Sequence, residues 1–444
     1  MCVPQLTASR RVVVVGGDGL NRKGNVAASA AFSPADRRKP DFMSAHSALI
    51  HLAVALDGAG WHPGAWRDPD TRPADLFTAG YWADLVAEAQ RGLLDFVTIE
   101  DGFTLQSDDR FAPDRRVDRV RGRLDAVLIA ARVAPRTAGL GLMPTITTTH
   151  SEPFHLSKAI ATLDYVSGGR AGVRVQIAGR ADAAAHFGRR EITSSVPGSL
   201  RDQRLRSEIR AHFDETADYV EVLRRLWDSW EDDAEIRDVA TGRFIDRNKL
   251  HYIDFEGRWF SVKGPSITPR PPQGQPIVAA LDHGADDYRL IARTADVGFV
   301  TPHAVTDVAA IAQQVAAAQQ AVQRTEDVLL FGDIAILLDH TTSGAQARQR
   351  RLAELAGAEW TSDARRFTGT PSELVDLLQQ WHAAGLAGFR LRPAALPHDL
   401  TQITDAVVPE LQRRGLFRTE YAKSTLRASL GLERPANRYA KALT

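Results

Sequence analysis

From about residue 48 onward, short apolar runs alternate with longer segments of helical periodicity. The runs are short enough to be buried strands, and the segments between them repeat apolar positions at the three- and four-residue spacing of a helix. Strands alternating with helices are typical of parallel β-α-β units. The predicted strands are 49–56, 94–99, 139–146, 171–178, 276–281, 297–301, 328–337 and 388–392. The predicted helices are 75–91, 120–133, 153–166, 214–228, 305–323, 344–357, 371–384 and 399–414.

The strand pattern favours a closed barrel over an open sheet. A doubly wound open sheet of the dinucleotide-binding type carries a glycine-rich phosphate turn after its first strand, and no such turn follows strand 49–56. The sequence therefore predicts an α/β fold of the (β/α)8 TIM-barrel type. Functional side chains of such barrels lie at the C-terminal ends of the strands, so the residues directly after each strand are the first candidates for chemistry.

The same pattern predicts the organisation of the chain. The barrel spans 46–415 and carries an insertion or lid at 229–275, where the alternating HYIDFEGRWFSV predicts a β-hairpin followed by a proline-rich return. Residues 1–45 are predicted to be a poorly ordered N-terminal extension. Residues 416–444 are predicted to be a basic, loosely packed C-terminal tail.

Composition excludes several classes of protein. The 55 basic residues balance the 55 acidic ones, so no net positive field attracts nucleic acid or an anionic membrane. No apolar stretch is long enough to cross a bilayer. The single cysteine, Cys2, cannot form an internal disulfide, which fits a reducing cytoplasm. We therefore expect a cytoplasmic protein whose partner is a small molecule.

Two further patterns concern charged and imidazole side chains. Arginines alternate with aspartates from 114 to 125, which predicts an exposed helix laced with salt bridges. His150, His155, His283 and His303 lie near strand ends, but no pair has a tight ligand spacing and no cysteine accompanies them. The sequence therefore predicts no metal site.

Three long segments carry a resemblance to a known family. They are RGLLDFVTIEDGF (91–103), EPFHLSKAIATLDYVSGGRAG (152–172), and residues 223–281, which begin LRRLWDSW and end PPQGQPIVAAL. The chain resembles the bacterial-luciferase-like flavin monooxygenases, in the branch that contains nitrilotriacetate monooxygenase, dibenzothiophene sulfone monooxygenase and pristinamycin synthase. The resemblance extends from about residue 49 nearly to the end of the chain.

This resemblance implies a two-component enzyme. A separate reductase supplies reduced FMN, and the barrel binds it and uses O₂ to oxygenate a small organic substrate. The protein then has to hold the flavin, exclude water and orient the substrate. The resemblance also implies an oligomer, either a homodimer or a larger assembly.

The family pattern implies particular flavin-binding residues. Its acidic residue after the second strand falls on Asp101, and its hydroxyl-bearing strand end falls on Thr147 or Thr148. A threonine there can donate to a flavin carbonyl. The alternative for Asp101 is a helix or turn cap before Gly102.

At other positions the chain departs from the family. A histidine and a tyrosine that precede the fourth helix in relatives are Ile209 and Phe213 here, and these cannot hydrogen-bond a phosphate. A Gly-Ser-Ser phosphate loop becomes Leu281, Asp282 and His283, where Asp282 repels phosphate and a protonated His283 attracts it.

Two residues near the strand ends remain candidates for chemistry. Arg174 replaces a family asparagine and is a candidate for binding an anionic cofactor or substrate group, with a buried ion pair to Asp101 or Glu100 as the alternative. His150 is the candidate for proton donation or substrate binding.

Three functional hypotheses follow. The first is a reduced-FMN-dependent monooxygenase. The second is an oxidoreductase of the same fold that uses a deazaflavin or a differently anchored flavin, with Arg174 and His283 replacing the usual phosphate contacts. The third is a weakly catalytic or non-catalytic subunit that forms a heterodimer with an active luciferase-like paralogue.

Overall fold

The computed structural model describes residues 49–109, 112–192, 203–282 and 288–440. The predicted N-terminal extension 1–45 and the candidate His283 lie outside these residues. The eight predicted barrel strands are present with ends shifted by at most two residues, and β12 is an additional strand of the same sheet. The strands are β1 (His51–Leu56), β2 (Phe96–Ile99), β3 (Gly141–Thr147), β4 (Gly172–Gln176), β5 (Glu235–Asp238), β6 (Arg243–Ile245), β7 (Phe255–Glu256), β8 (Ser261–Val262), β9 (Ile277–Asp282), β10 (Val297–Val300), β11 (Leu329–Leu338), β12 (Arg365–Gly369) and β13 (Gly388–Pro393).

Eight of these strands close into a parallel barrel, in the order β1-β2-β3-β4-β9-β10-β11-β13. The ring closes where β13 pairs with β1, with His51 opposite Gly388 and Val54 opposite Leu391. Side chains alternate along each strand between the barrel interior and the surrounding helices. The predicted (β/α)8 TIM-barrel fold is confirmed.

Strand β12 was missed because it lacks an apolar run. It pairs with the C-terminal half of β11, from Ile334 opposite Arg365 to Leu338 opposite Gly369. The N-terminal half of β11 pairs with β10, from Val297 opposite Leu329 to Val300 opposite Gly332. Because β11 extends beyond β10, its free edge at the upper end of the barrel is covered by β12.

Most predicted helices are present, with shifted ends. They are α1 (Ala79–Arg91), α2 (Ala126–Val133), α3 (Pro153–Ser167), α4 (Ala181–Phe187), α5 (Gln203–Asp228), α6 (Tyr288–Thr294), α7 (Val305–Ala321), α8 (Thr342–Ala356), α9 (Pro371–Ala383), α10 (His398–Gln402), α11 (Val408–Arg413) and α12 (Leu426–Ser429). The predicted helix 399–414 is divided into α10 and α11 by a π-helical turn at 403–407.

The prediction of a helix from residue 114 to 125 is wrong. This segment is a loop, and α2 begins only after Asp125, whose carboxylate accepts a hydrogen bond from the backbone N–H of Leu128. Gly122 has a φ of +89°, which a right-handed helix does not accommodate. The alternating charges therefore line a loop, and one of them, Arg123, reaches the candidate site described below.

The insertion 229–275 forms two small antiparallel ribbons, β5 with β6 and β7 with β8. The second is the predicted hairpin of HYIDFEGRWFSV, with Phe255 opposite Val262. Its aromatic side chains pack on α5, where Phe260 meets Tyr219 edge-on with ring centroids 6.2 Å apart. The hydroxyl of Tyr165, near the end of α3, donates to the carbonyl of Arg270 at 2.8 Å. The insertion therefore supports the outside of the barrel wall.

The prediction of a loosely packed C-terminal tail is wrong for residues 417–440. Leu426 and Leu430 are buried against the apolar side chains that fill the lower barrel interior, including Phe96 and Met143. The backbone N–H of Arg427 donates to the side-chain oxygen of Gln273 at 2.8 Å. The segment closes the N-terminal end of the barrel, so any ligand must enter from the opposite end.

Candidate active site

The barrel interior has an apolar lower layer and a charged upper layer. Phe96, Phe299 and Phe331 pack together in the lower layer. Above them lie charged side chains, all of them buried, from strands β4, β11 and β13 and from the residue that follows β2: Glu100, Arg174, Asp333, Arg390 and Arg392. A closed lower end and a polar upper layer make the C-terminal ends of the strands the candidate site.

Asp333 holds two arginines in this layer. Its carboxylate accepts from Nε of Arg390 at 2.8 Å and from Nε of Arg392 at 3.0 Å, and each guanidinium makes a second bond through Nη2. Burial alone would raise the pKa of Asp333, but the two guanidinium groups hold it below its ordinary value. This cluster was not predicted from the sequence, although the alternation in GFRLR on a buried strand points both arginines to the same side.

Arg174 is paired within the protein. Its guanidinium contacts the carboxylate of Glu100 and donates to the hydroxyl of Thr145 at 3.0 Å and to the side-chain oxygen of Gln176 at 3.0 Å. Burial lowers the pKa of Arg174 to about 10, against the opposing effect of Glu100. The ion-pair alternative is therefore realised, with Glu100 rather than Asp101 as the partner. The structure does not place Arg174 on the wall of the cavity described next.

A cavity of about 430 Å³ lies at the upper end of the barrel. Its walls come from the loop after β2, the loop after β4, α4 and α5. The apolar part of the wall consists of Phe103, Ile177, Ala183, Ile192, Ile209 and Phe213. The polar part consists of Asp101, Thr104, Arg123, Gln176, Arg180, Glu208 and His212. A cavity with apolar walls and a few polar groups is suited to an organic ligand.

Asp101 lines this cavity and also caps α2. One carboxylate oxygen accepts from the backbone N–H of Ala126 at 2.9 Å, and the other accepts from the N–H of Gly102 at 2.7 Å. Burial raises the pKa of Asp101, while these two backbone bonds oppose the rise. The capping alternative is observed, and the predicted contact between Asp101 and a flavin remains a prediction.

The two threonines after β3 differ in their surroundings. The Thr148 hydroxyl donates to the carbonyl of Gln176 at 3.2 Å and lies 2.8 Å from the Thr216 hydroxyl, so it ties β3 to β4 and α5. Thr147 follows the inward-facing Thr145 by two residues and therefore points to the barrel interior. Thr147 is the better placed of the two to meet a ligand above the charged layer.

His150 lies in an aromatic cluster beside the cavity. Its ring stacks on Phe187 at a centroid distance of 5.0 Å, and the ring of Phe103 is 6.5 Å away. Nε2 of His150 is enclosed and has no hydrogen-bond partner among the described residues. Burial lowers the pKa of His150, which favours the neutral imidazole at pH 7. Its proposed proton-transfer role remains a prediction.

Two of the predicted departures from the family pattern lie at the same cavity. Ile209 and Phe213 are on α5 and form part of the wall, with His212 between them in the chain. The backbone of Asp282 ends strand β9. The structure places Ile209 and Phe213 on the apolar part of the cavity wall, and their comparison with the family's phosphate-binding positions remains a prediction.

Arg123 is the residue at this site that sequence reasoning misassigned. Its Nε and Nη2 donate to the two carboxylate oxygens of Asp57 at 2.9 and 2.6 Å, which anchors the loop before α2 to the end of β1. Asp57 directly follows the first strand, so its position was among the expected ones. The pairing with Arg123 spans 66 residues of the chain and has no signal in local periodicity.

Within 49–109, 112–192, 203–282 and 288–440, no group of three or more histidine, cysteine, aspartate or glutamate side chains is arranged to hold a metal ion. Over the same ranges, no helix combines the length and apolar character needed to cross a bilayer.

A closed parallel barrel with a polar-lined cavity at the C-terminal ends of its strands defines a TIM-barrel enzyme. The sequence profile of the luciferase-like monooxygenases matches residues 59–388, and the chain belongs to this family. It is 30% identical to N-acetyl-S-(2-succino)cysteine monooxygenase of Bacillus subtilis (strain 168), over 90% of this chain and 100% of the relative. It is also 30% identical to nitrilotriacetate monooxygenase component A of Aminobacter aminovorans, over 88% of this chain and 98% of the relative.

A solved structure supports the fold. The EDTA monooxygenase from Chelativorans sp. BNC1 superposes with a TM-score of 0.73 at 24% identity, covering 87% of this chain and 99% of that one. The resemblance predicted from the three long segments is thus confirmed at the level of family, fold and monooxygenase class.

Proposed function

We propose that this protein is the oxygenase component of a two-component system that uses reduced FMN, supplied by a separate reductase, and O₂ to oxygenate a small organic substrate. Membership in the monooxygenase family supports the reaction class. The observation that carries the proposal is the cavity of about 430 Å³ at the C-terminal ends of the strands.

The residues of this cavity fit a flat ring with polar edges. Ile209 and Phe213 offer apolar surface for the faces of an isoalloxazine ring. The inward-facing Thr147, which is not one of the residues that line the cavity, offers a hydroxyl for a ring carbonyl. Arg180, whose guanidinium is paired with Asp182, and the imidazole of His212 are candidates on the same wall for the phosphate. When bound, reduced FMN supplies the electrons that activate O₂. The protein supplies the walls that exclude water and hold the substrate beside the ring.

The role of His150 depends on access. Its neutral imidazole suits proton transfer near pH 7, but Nε2 is enclosed against Phe187. We therefore assign direct ligand contact to Thr147 and keep His150 as a proton-transfer candidate that acts when Phe187 is displaced.

Anaerobic titration with reduced FMN tests the proposal. We expect saturable binding by the wild-type chain, and O₂ consumption coupled to substrate oxygenation when a reductase regenerates the flavin. Ile209→Trp fills the cavity and should abolish binding, whereas Leu128→Trp, on the exposed face of α2, should not. Equal reduced-FMN affinity in all three proteins would contradict the placement of the flavin.

One observation favours a second candidate, in which the cofactor is a deazaflavin or a differently anchored flavin. Ile209 and Phe213 are on the cavity wall, and the family resemblance implies that they stand where relatives bind phosphate through a histidine and a tyrosine. The titration therefore includes reduced deazaflavin as a parallel arm. Tighter binding of deazaflavin than of FMN would favour this candidate.

The third hypothesis, a non-catalytic subunit, predicts turnover only in the presence of a paralogue. We propose a homo-oligomer that is active by itself. Turnover by the purified chain with a flavin reductase supports this, and turnover that requires an added luciferase-like paralogue would favour the heterodimer.

A further inference from the structure

Arg123 presents one free edge of its guanidinium to the cavity. Its Nε and Nη2 are engaged by Asp57, while Nη1 has no acceptor within hydrogen-bond distance among the described residues. The two bonds to Asp57 fix the plane of the group, because a guanidinium and a carboxylate meet as two parallel forks. The free edge is therefore held in place before any ligand arrives.

Gln176 presents a second donor beside it. Arg174 donates to Oε1 of Gln176 at 3.0 Å, and Nε2 of Gln176 donates to the carbonyl oxygen of Asp101 at 3.1 Å. A guanidinium only donates and a carbonyl only accepts, so these two contacts determine which end of the amide is nitrogen. One N–H of Nε2 remains for another acceptor.

These two donors flank the space above Gly102. A Cβ placed on Gly102 would lie 3.7 Å from Nε2 of Gln176 and 3.8 Å from Nη1 of Arg123. All three residues line the cavity. The absence of a side chain at residue 102 therefore leaves room for a ligand atom between two fixed N–H donors.

The charges around this space decide which ligand group it suits. Both flanking groups are donors, and one carries a positive charge that already faces the carboxylates of Asp57, Glu100 and Asp101. The nearby Asp101 carboxylate is already engaged by the backbone N–H groups of Gly102 and Ala126. A carboxylate, with two acceptor oxygens and a negative charge, matches a guanidinium edge beside an amide N–H.

We propose that Arg123 and Gln176 form a binding point for a carboxylate group of the substrate, so that this enzyme oxygenates an organic acid. The inference rests on the proposed function, because it places the substrate in the cavity that holds the flavin. Arg123 and Gln176 are the residues that determine this specificity. Asp57 and Arg174 act through them, as positioning residues.

Probes of known charge test the substrate class. Nitrilotriacetate and N-acetyl-S-(2-succino)cysteine are carboxylate probes, and dibenzothiophene sulfone is an uncharged one. Binding of each is measured by anaerobic calorimetry with the wild-type chain, in the presence and absence of reduced FMN. We expect saturable binding of at least one carboxylate probe and weaker or no binding of the sulfone.

Gly102→Ala provides the decisive variant. The added methyl group would make only ordinary van der Waals contacts, so the chain accommodates it, but the methyl occupies the space between the two donors. We expect carboxylate affinity to fall by about 20-fold or more, the effect of losing charge-assisted hydrogen bonds. Gly179→Ala adds a methyl to the same cavity where nothing lies within 4 Å, and it should retain the affinity.

Two arginine variants separate charge from geometry. Arg123→Gln should lose carboxylate affinity as Gly102→Ala does, and Arg123→Lys should recover part of it, because lysine keeps the charge but not the fork. Urea midpoints of all variants confirm folding. The reduced-FMN affinity of Gly102→Ala and Arg123→Gln should remain within about threefold of wild type, a smaller change than the loss of one charge-assisted hydrogen bond would cause.

Four results would overturn the inference. The first is that wild type and Gly102→Ala bind the carboxylate probes with equal affinity, and the second is that wild type binds no carboxylate probe. The third is that wild type prefers the sulfone. The fourth is that Gly102→Ala or Arg123→Gln loses as much affinity for reduced FMN as for the carboxylate. The last would mean that the donors hold a flavin carbonyl. If the wild-type chain does not bind reduced FMN, the proposed function fails. If it binds reduced FMN without preferring carboxylates, only this inference fails.

Discussion

The buried carboxylate of Asp333 is the position in the barrel interior where we expect a substitution to lower the free energy of unfolding most. Its side chain is 0% exposed and accepts four hydrogen bonds, two from Arg390 and two from Arg392. Asp333→Asn keeps the shape but replaces one acceptor oxygen with an NH₂ group that faces a guanidinium. Water cannot reach the site to compensate, so two buried positive charges lose the counter-charge they share, and only Asp363 beside Arg392 and Glu100 beside Arg390 remain.

The expected cost follows from the structure. Removing one partner of a buried ion pair costs about 3–5 kcal/mol, and the burial of both arginines places Asp333→Asn within that range. We therefore predict a decrease of about 4 kcal/mol in the free energy of unfolding. The measurement is a urea titration followed by tryptophan fluorescence, which reports on the buried Trp227 and Trp381.

Glu410 provides a matched control. It also accepts hydrogen bonds from two arginines, Arg413 and Arg414, but on the protein surface, where water and salt screen the charges. Glu410→Gln should leave the urea midpoint unchanged. If Asp333→Asn and Glu410→Gln behave alike, burial does not control the strength of these pairs, and the reasoning about the charged layer is refuted.

Three further predictions concern single residues. Asp101→Ala should lower the free energy of unfolding by about 1–2 kcal/mol through loss of the α2 cap; loss of reduced-FMN binding at unchanged stability would instead indicate direct flavin contact. Asp164→Asn should cost about 2–3 kcal/mol in urea titrations, since its buried carboxylate accepts three N–H bonds, two of them from Gln273; a change below 1 kcal/mol would contradict this. Burial and nearby arginines lower the pKa of His62 to about 4. Protonation therefore favours the unfolded chain, and wild type should lose about 3 kcal/mol between pH 6.5 and 4 relative to His62→Gln; parallel pH profiles would refute the assignment.

Local patterns in the sequence were sufficient to predict the barrel and part of the lining of the candidate site. Apolar runs marked the barrel strands, and the positions after β2 and β4 led to Asp101 and to the loop that lines the cavity. The family pattern led to Ile209 and Phe213, which lie on the cavity wall. These successes share a cause, because each depends on the periodicity or order of nearby residues.

The errors arose where a residue's partner is distant in the chain. Arg123 was assigned to an exposed helix because it stands in a run of alternating charges, yet its partner is Asp57. The C-terminal segment looked loosely packed, yet Leu426 and Leu430 complete the apolar layer of the barrel. Local composition does not report such contacts.

The sequence by itself determined the strand and helix pattern, the closed barrel and the end of it that carries chemistry, since periodicity and chain order suffice for these. Only the tertiary structure decided how the charges pair. Arg174 had two possible partners in the sequence, and strand register brought it to Glu100. Closure of the barrel likewise set Arg390 and Arg392 around Asp333, and the fold of the 101–125 loop brought Arg123 beside Gln176 and Gly102. A buried charge requires a partner, but which partner it finds depends on geometry that exists only after the ring has closed.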